Sequence, residues 1–242
     1  MNRAMNTERA KGMMTAAETA RPLVGVLALQ GGVEEHIAVL ESLGAATRRV
    51  RLPQDLDGLD GIILPGGESS AIDKLARSFG VAEPLRRAVE GGLPVLATCA
   101  GLIYSARELE NPAPGQQTLG LIDVTVRRNA FGNQRFSEER TVPVAMEGQR
   151  SGEPLAIEAS FIRAPIVTRA GEGVEVIATV PLPAHDIVSS GERSDVRTRT
   201  RPIAGREAIV GVRQGCVTAL SFHPEENGDS RLHSAWLASI AH

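Results

Sequence analysis

Only 3% of the 242 residues are aromatic, which leaves few rings on which unpaired bases could stack. Basic residues do not make up for this. The 26 Lys and Arg stand against 29 Asp and Glu, for a formal charge of −3, so no overall positive field draws phosphate polymers or an anionic membrane surface. Neither nucleic acid nor membrane is an expected partner. Lysine is the scarcest of the basic residues, with Lys11 and Lys74 alone, and neither sits where a Schiff base to a cofactor would be expected. The two cysteines, Cys99 and Cys216, are too few for a disulfide framework and fit a reducing compartment. No apolar run reaches the ~18 to 20 residues that span a bilayer, and the first 22 residues hold no continuous apolar stretch of a secretory signal. No metal-ligand spacing is visible. The expectation is a soluble, cytoplasmic protein with neither metal nor cofactor.

What is present is alternation. Residues 1–22 mix charge, Thr, Ala and Met without a period and read as a flexible extension. From Leu23 the short apolar run LVGVLAL closes on Gln30-Gly31-Gly32, and Val33, Ile37 and Leu40 then recur at helical spacing up to a stop at Gly44. The unit repeats: TRRVRL and GIILP as strands, a glycine turn, a helical stretch from about Ala71 to Glu90, and LPVLATC as a strand. Such alternation predicts an α/β fold of three layers, a mostly parallel central sheet with helices on both faces. After Asn111 shorter strands (LGLIDVTV, RTVPVAM, PLAIEASFI, VEVIATV, AIVGV, CVTALSF) predict a mixed or antiparallel addition, and RLHSAWLASI a last helix. One domain is expected over 23–242, interrupted at about 187–205 by a polar, arginine-bearing insertion that reads as an exposed loop.

Ligands in parallel sheets gather at the carboxyl ends of strands, and the least ordinary residues fall there. Cys99 ends an apolar strand just before a helical run, with Gly101 two residues on. That turn projects a nucleophile from the backbone at a helix N-terminus, which favours thiolate; taken alone, it is equally the place of a small core cysteine. Ser221-Phe222-His223-Pro224-Glu225 breaks the tie. It follows another apolar strand, Pro224 biases His223 toward an extended backbone, and residues two apart in extended chain share a side. A nucleophile, a base and a carboxylate that orients the base make a covalent hydrolase. LPGGESS, from Leu64 to Ser70, adds glycines that let backbone N–H groups approach an oxyanion.

Cys99 in its turn, the glycine turn and the late His-Pro-Glu resemble the class I (triad) glutamine amidotransferases. GVLALQG, LPGGESS, TCAGLI, RNAFG, FIRAP and SFHPE narrow the resemblance to the glutaminase subunits of pyridoxal 5'-phosphate synthase, from about Leu23 to the end. The resemblance implies that L-glutamine is hydrolysed to glutamate and ammonia through a thioester on Cys99, with His223 as general acid and base and Glu225 as its orienter. It also implies that Gly67, Glu68, Ser69, Arg128, Ile162 and Arg163 bind substrate. Backbone N–H groups of Gly67 and Ala100 would meet the oxyanion, and Gln30 would face the synthase partner that receives the ammonia. The nearest rival is a class I glutaminase serving another synthase, such as the imidazole glycerol phosphate one. Other residues read plainly: Cys216 as the start of a strand and core, His36 as exposed polar filler on the first helix, His185, His233 and His242 as parts of a loop, a surface helix and the terminus.

Overall fold

Strands β3 (Gly61–Leu64) and β4 (Val95–Thr98) are buried along their whole length, as strands covered on both faces must be. In the computed structural model, which describes residues 21–130, 138–146, 153–161, 163–181 and 207–240, they lie in the middle of a ten-stranded sheet. With β1 (Leu23–Leu27), β2 (Ala46–Val50) and β12 (Val217–Leu220) they form a parallel array in the order β2-β1-β3-β4-β12. Beyond β12 the sheet turns antiparallel through β11 (Glu207–Gln214), which also pairs with β10 (Glu175–Pro181), and then β9 (Ile166–Ala170) and β6 (Ile122–Arg127). Strand β5 (Ala106–Leu109) closes this edge parallel to β6. A separate antiparallel pair joins β7 (Glu138–Val144) to β8 (Leu155–Phe161).

Side chains of successive strand residues point to opposite faces, and the two cores follow that rule. Ile63 and Leu96 pack with Ile37 and Leu40 of α1 (Val33–Ser42) and with Leu232 and Trp236 of α5 (Arg231–Ile240). Their neighbours Ile62, Leu64, Val95 and Ala97 pack on the other face with Ile72 of α2 (Ser69–Ser78), Leu85 of α3 (Ala82–Glu90) and Leu102 of α4 (Ala100–Ser105). The result is the expected three-layer α/β architecture with a mixed addition.

Several details differ from the sequence expectation. The stretch from Ala71 to Glu90 is two helices, because Gly80 takes φ +71°. Gly80 N–H bonds the Arg77 carbonyl (3.1 Å) and Val81 N–H the Ala76 carbonyl (2.9 Å), the paired bonds of a glycine-terminated helix end. Cys216 does not begin β12: it lies half-buried in the turn with Gly215, its thiol 3.6 Å from the Val89 carbonyl. β5 and β9 were not anticipated. Of the expected extension only Arg21 and Pro22 are described, and the insertion at 187–205 lies wholly outside the described residues.

Candidate functional site

The parallel pairing of β4 with β12 sets Thr98 beside Leu220, so the segments that leave both strands emerge at the same end of the sheet. Cys99 is the first residue out. Its N–H still bonds the Leu220 carbonyl (2.8 Å), yet it adopts φ +47°, ψ −99° before α4 begins at Ala100. A side chain that holds positive φ is strained, and such strain persists only where the surrounding structure over-determines it. Gly101 allows the tight crossing, since a Cβ there would overlap the Leu64 carbonyl.

His223 leaves β12 two residues after Ser221 and makes a single antiparallel bridge to Ser160, its N–H 3.2 Å from that carbonyl. Its Nδ1 lies 2.8 Å from Glu225 Oε1, and Cys99 lines the same cavity as the ring. The extended-chain rationale for bringing His223 and Glu225 together is not the one realised. Pro224 takes helical angles, φ −70° and ψ −25°, and Glu225 opens a short 3-10 turn over Glu225–Asn227. The carboxylate reaches the imidazole by a turn rather than along a strand.

The glycine turn follows β3. Gly66 offers its carbonyl to Gly32 N–H (3.1 Å), and its bare Cα leaves room for the His223 ring, into which a Cβ would project. Glu68 caps α2 with its side chain, accepting from Ser70 N–H (3.1 Å) and Ala71 N–H (2.7 Å), while its own N–H donates to Gln30 Oε1 (2.6 Å). Gln30 therefore braces the turn from β1's end. These groups open onto a cavity of about 470 Å³ whose walls include Gln30, Gly67, Glu68, Ser69, Cys99 and His223, with Arg128, Arg163 and Glu225. Ala100 is fully buried behind Cys99, and Ile162 lies outside the described residues. Arg128 donates to Gln116 Oε1 (2.8 Å) and lies 3.4 Å from Glu68 Oε1. Arg163 adopts φ +48°.

Sequence reasoning missed Gln116, which fastens Ser69 Oγ (3.0 Å) with one amide atom and Arg128 with the other. It misread two histidines outright. His36 is not exposed filler and His233 is not on a surface face: both are fully buried, and their rings meet, Nδ1 to Nε2, at 2.9 Å.

The charges follow from burial and pairing. Burial works against a protonated His223, but its bonds to Cys99 and Glu225 outweigh this and raise its pKa to about 11. Burial pushes Glu225 up, and the neighbouring His36 and His223 more than offset it, leaving the carboxyl below its ordinary range. His223 therefore stays an imidazolium at neutral pH, poised between the Cys99 sulfur and an ionised Glu225. For His36 and His233 burial dominates and lowers both, His233 to about 4.

A histidine buried neutral binds its proton only in the unfolded chain between the two pKa values, so stability must fall as pH drops from about 6.5 to about 4. For His233 this amounts to about 3 kcal/mol, or about 6 to 12 °C in melting temperature for a domain of this size. Thermal melts across that window are expected to show the drop, and His233→Gln to flatten it; a wild-type profile flat from pH 7 to 4 would contradict the buried neutral ring.

The sequence matches the SNO glutamine amidotransferase family over residues 26–241. It is 57% identical over 218 residues to the pyridoxal 5'-phosphate synthase subunit PdxT of Corynebacterium glutamicum (strain R), covering 90% of this chain and 96% of that one. The subunit of the same name from Cutibacterium acnes is 58% identical over 220 residues, 91% of this chain and 98% of that one. A solved structure described as a glutamine amidotransferase superposes with a TM-score of 0.71 at 40% identity, over 90% of this chain and 98% of that one. PurLQS from Thermotoga maritima, at 20% identity and a TM-score of 0.57 over 91% of this chain and 99% of that one, shares the fold.

Proposed function

The chain belongs to the SNO glutamine amidotransferase family, and from that premise we propose that it hydrolyses L-glutamine to L-glutamate and ammonia and supplies the ammonia to a pyridoxal 5'-phosphate synthase subunit. The observation that carries this reading is the convergence of Cys99, His223 and Glu225 at the ends of two adjacent parallel strands, with His223 2.8 Å from Glu225. In this reading the Cys99 thiolate attacks the amide carbon and the carbonyl oxygen takes the negative charge. N–H groups of Gly67 and Ala100 receive that oxyanion. Collapse breaks the C–N bond as His223 gives its proton to the leaving nitrogen, so ammonia departs and a thioester remains. Water, deprotonated by His223, then attacks the thioester and releases glutamate and the cysteine. Glu225 holds the ring in register for both transfers. Gly67, Glu68, Ser69, Arg128, Ile162 and Arg163 hold the substrate, the guanidinium groups being suited to a carboxylate. Gln30 faces the synthase partner.

The organisation as one domain over 23–242 belongs to the same proposal and is supported by one sheet that runs from β1 to β12. Cytoplasmic residence is supported by two free cysteines; no helix among the described residues is long and apolar enough to cross a membrane.

The glycine turn supports a dependence on the partner. A peptide bond presents its C=O and N–H on opposite sides, and the Gly66 carbonyl is tied to Gly32 N–H, which fixes where Gly67 N–H points. Glycine on both flanks lets that peptide turn over at the loss of one bond worth about 0.5 to 1.5 kcal/mol. A partner that docks beside Gln30 and α1 can select the orientation that receives the oxyanion. Glutamine hydrolysis is therefore expected to rise when the synthase subunit is added, by at most the about 100 to 1,000-fold that one oxyanion donor contributes. Steady-state ammonia release at saturating glutamine, with and without the partner, is the test. Full activity in the lone chain would leave the turn a preformed oxyanion hole, and no activity in either state would refute the function itself.

A further inference from the structure

Behind the triad, on the side away from the cavity, lies a buried polar cluster that the proposed reaction does not use. His36 comes from α1, His233 from α5 and Thr98 from the end of β4. His36 Nε2 lies 3.1 Å from Thr98 Oγ1 and 3.4 Å from Glu225 Oε1, the same oxygen that His223 Nδ1 approaches at 2.8 Å. Its Nδ1 lies 2.9 Å from His233 Nε2. Among the described residues, Glu225 Oε2 and His233 Nδ1 are buried without a hydrogen-bond partner.

These contacts select one proton arrangement. Both rings are buried and neutral, so each carries a single N–H, and the short contact between them uses one proton. If His36 supplied it from Nδ1, its bare Nε2 would face a carboxylate oxygen at 3.4 Å, and His233 would carry a buried N–H on Nδ1 with nothing to receive it. Both outcomes are costly. If His233 supplies it from Nε2, the His36 proton resides on Nε2, aimed at Glu225 Oε1 and shared with Thr98 Oγ1, and no buried N–H is orphaned.

We propose that His36 is a positioning residue for glutamine hydrolysis: with its tautomer set by His233, it holds the inner oxygen of Glu225 and so fixes the carboxylate that orients His223. This rests on the reading of Cys99, His223 and Glu225 as a catalytic triad. The physical need is specific. Glu225 is buried and its second oxygen, Oε2, has no hydrogen-bond partner, so without His36 the carboxylate keeps only His223 and its own backbone N–H to hold it, and burial then favours its protonation. A protonated or rotated Glu225 holds the His223 ring less firmly. The titratable groups that face the cluster are Glu35 on α1, His223 and Glu225 after β12, Glu226 beside His223, and Asp229 ahead of α5.

The test assays the full chain together with its synthase partner. His36→Leu is expected to lower kcat by about 10 to 100-fold, what one hydrogen bond to a charged group is worth as a rate factor, with KM nearly unchanged. The acid limb of kcat against pH should move upward, because Glu225 then protonates more readily. His36→Gln, whose amide can return an N–H near the Nε2 position, should recover most of both. A folded His36→Leu with unchanged kcat and pH profile, or a loss confined to KM, would overturn the proposal. If His36→Leu does not fold, imidazole nitrogen NMR of the intact chain decides: both rings should carry the proton on Nε2, and Nδ1–H on His36 overturns it. A parallel Glu225→Ala arm separates the two levels. Retained activity in that variant sinks the triad itself, whereas its loss beside an unaffected His36→Leu sinks only the role of His36.

Discussion

Cys99→Ala is expected to reduce glutamine hydrolysis by about 10⁴ to 10⁶-fold, the range found when a covalent nucleophile is removed from an intact triad. The fold should survive, because the site loses a small side chain and the backbone bond from residue 99 to the Leu220 carbonyl does not depend on sulfur. A second substitution at the same place isolates the strain. At φ +47°, ψ −99° any side chain is unfavourable by about 1 to 3 kcal/mol, whereas glycine costs only its extra chain entropy, about 0.5 to 1 kcal/mol. Cys99→Gly should therefore be as inactive as Cys99→Ala yet melt at a higher temperature. A glutamine-like electrophile should modify Cys99 alone, since burial pushes the Cys216 thiol up and keeps it from ionising. Ammonia release that survives Cys99→Ala, or modification mapped to Cys216, would remove the nucleophile from the scheme.

Gly66→Ala should be almost as damaging, for a reason visible only in three dimensions. Gly66 has no positive φ, so its backbone conformation alone does not demand glycine. What demands it is His223: a methyl at Gly66 enters the space of the imidazole, nearest its Cε1 and Nδ1. The ring must swing away from Glu225 or from Cys99, and in the proposed reaction the loss of a placed general acid and base costs about 10² to 10⁴-fold. Gly44→Ala serves as the control. Gly44 has φ +83° with open space around it, so alanine there should lower stability and leave the turnover of the folded chain alone. Melting curves and kcat measured on both variants separate strain from collision. A Gly66→Ala chain with wild-type kcat would mean that His223 works from another position.

The sequence exposed those parts of the site that obey local rules. LPGGESS announces a turn because two glycines end an apolar run, and Cys99 stands out because a strand and a helix meet there without a loop. His36 and His233 obey no local rule. They are 197 residues apart, each sits in a helix among ordinary neighbours, and their burial arises only when α1 and α5 pack side by side on one face of the sheet. Gln116 is similar, a single amide in an irregular segment whose meaning lies in joining Ser69 to Arg128. Among the strands, β5 was hidden by its charge, since Arg107 and Glu108 of Ala106–Leu109 are exposed. The break at Gly80 could have been read, because a glycine followed by an apolar residue is the usual end of a helix.

The position of β12 gives the molecule an order of assembly. Among the described residues the strand latest in the sequence lies fifth in the order β2-β1-β3-β4-β12-β11-β9-β6-β5, wedged between strands made earlier. Until it arrives, β4 has an unpaired edge and the segment carrying His223 and Glu225 has no place to dock. Residues 99 and 225 are separated by 126 positions, which at about 5 to 20 residues per second is a lag of about 6 to 25 s on the ribosome. Contacts between such distant segments also slow folding after release. A nascent or prematurely terminated chain can thus display its cysteine turn while the segment of His223 and Glu225 has no dock, so under the proposed triad chemistry begins only after the centre of the sheet has closed.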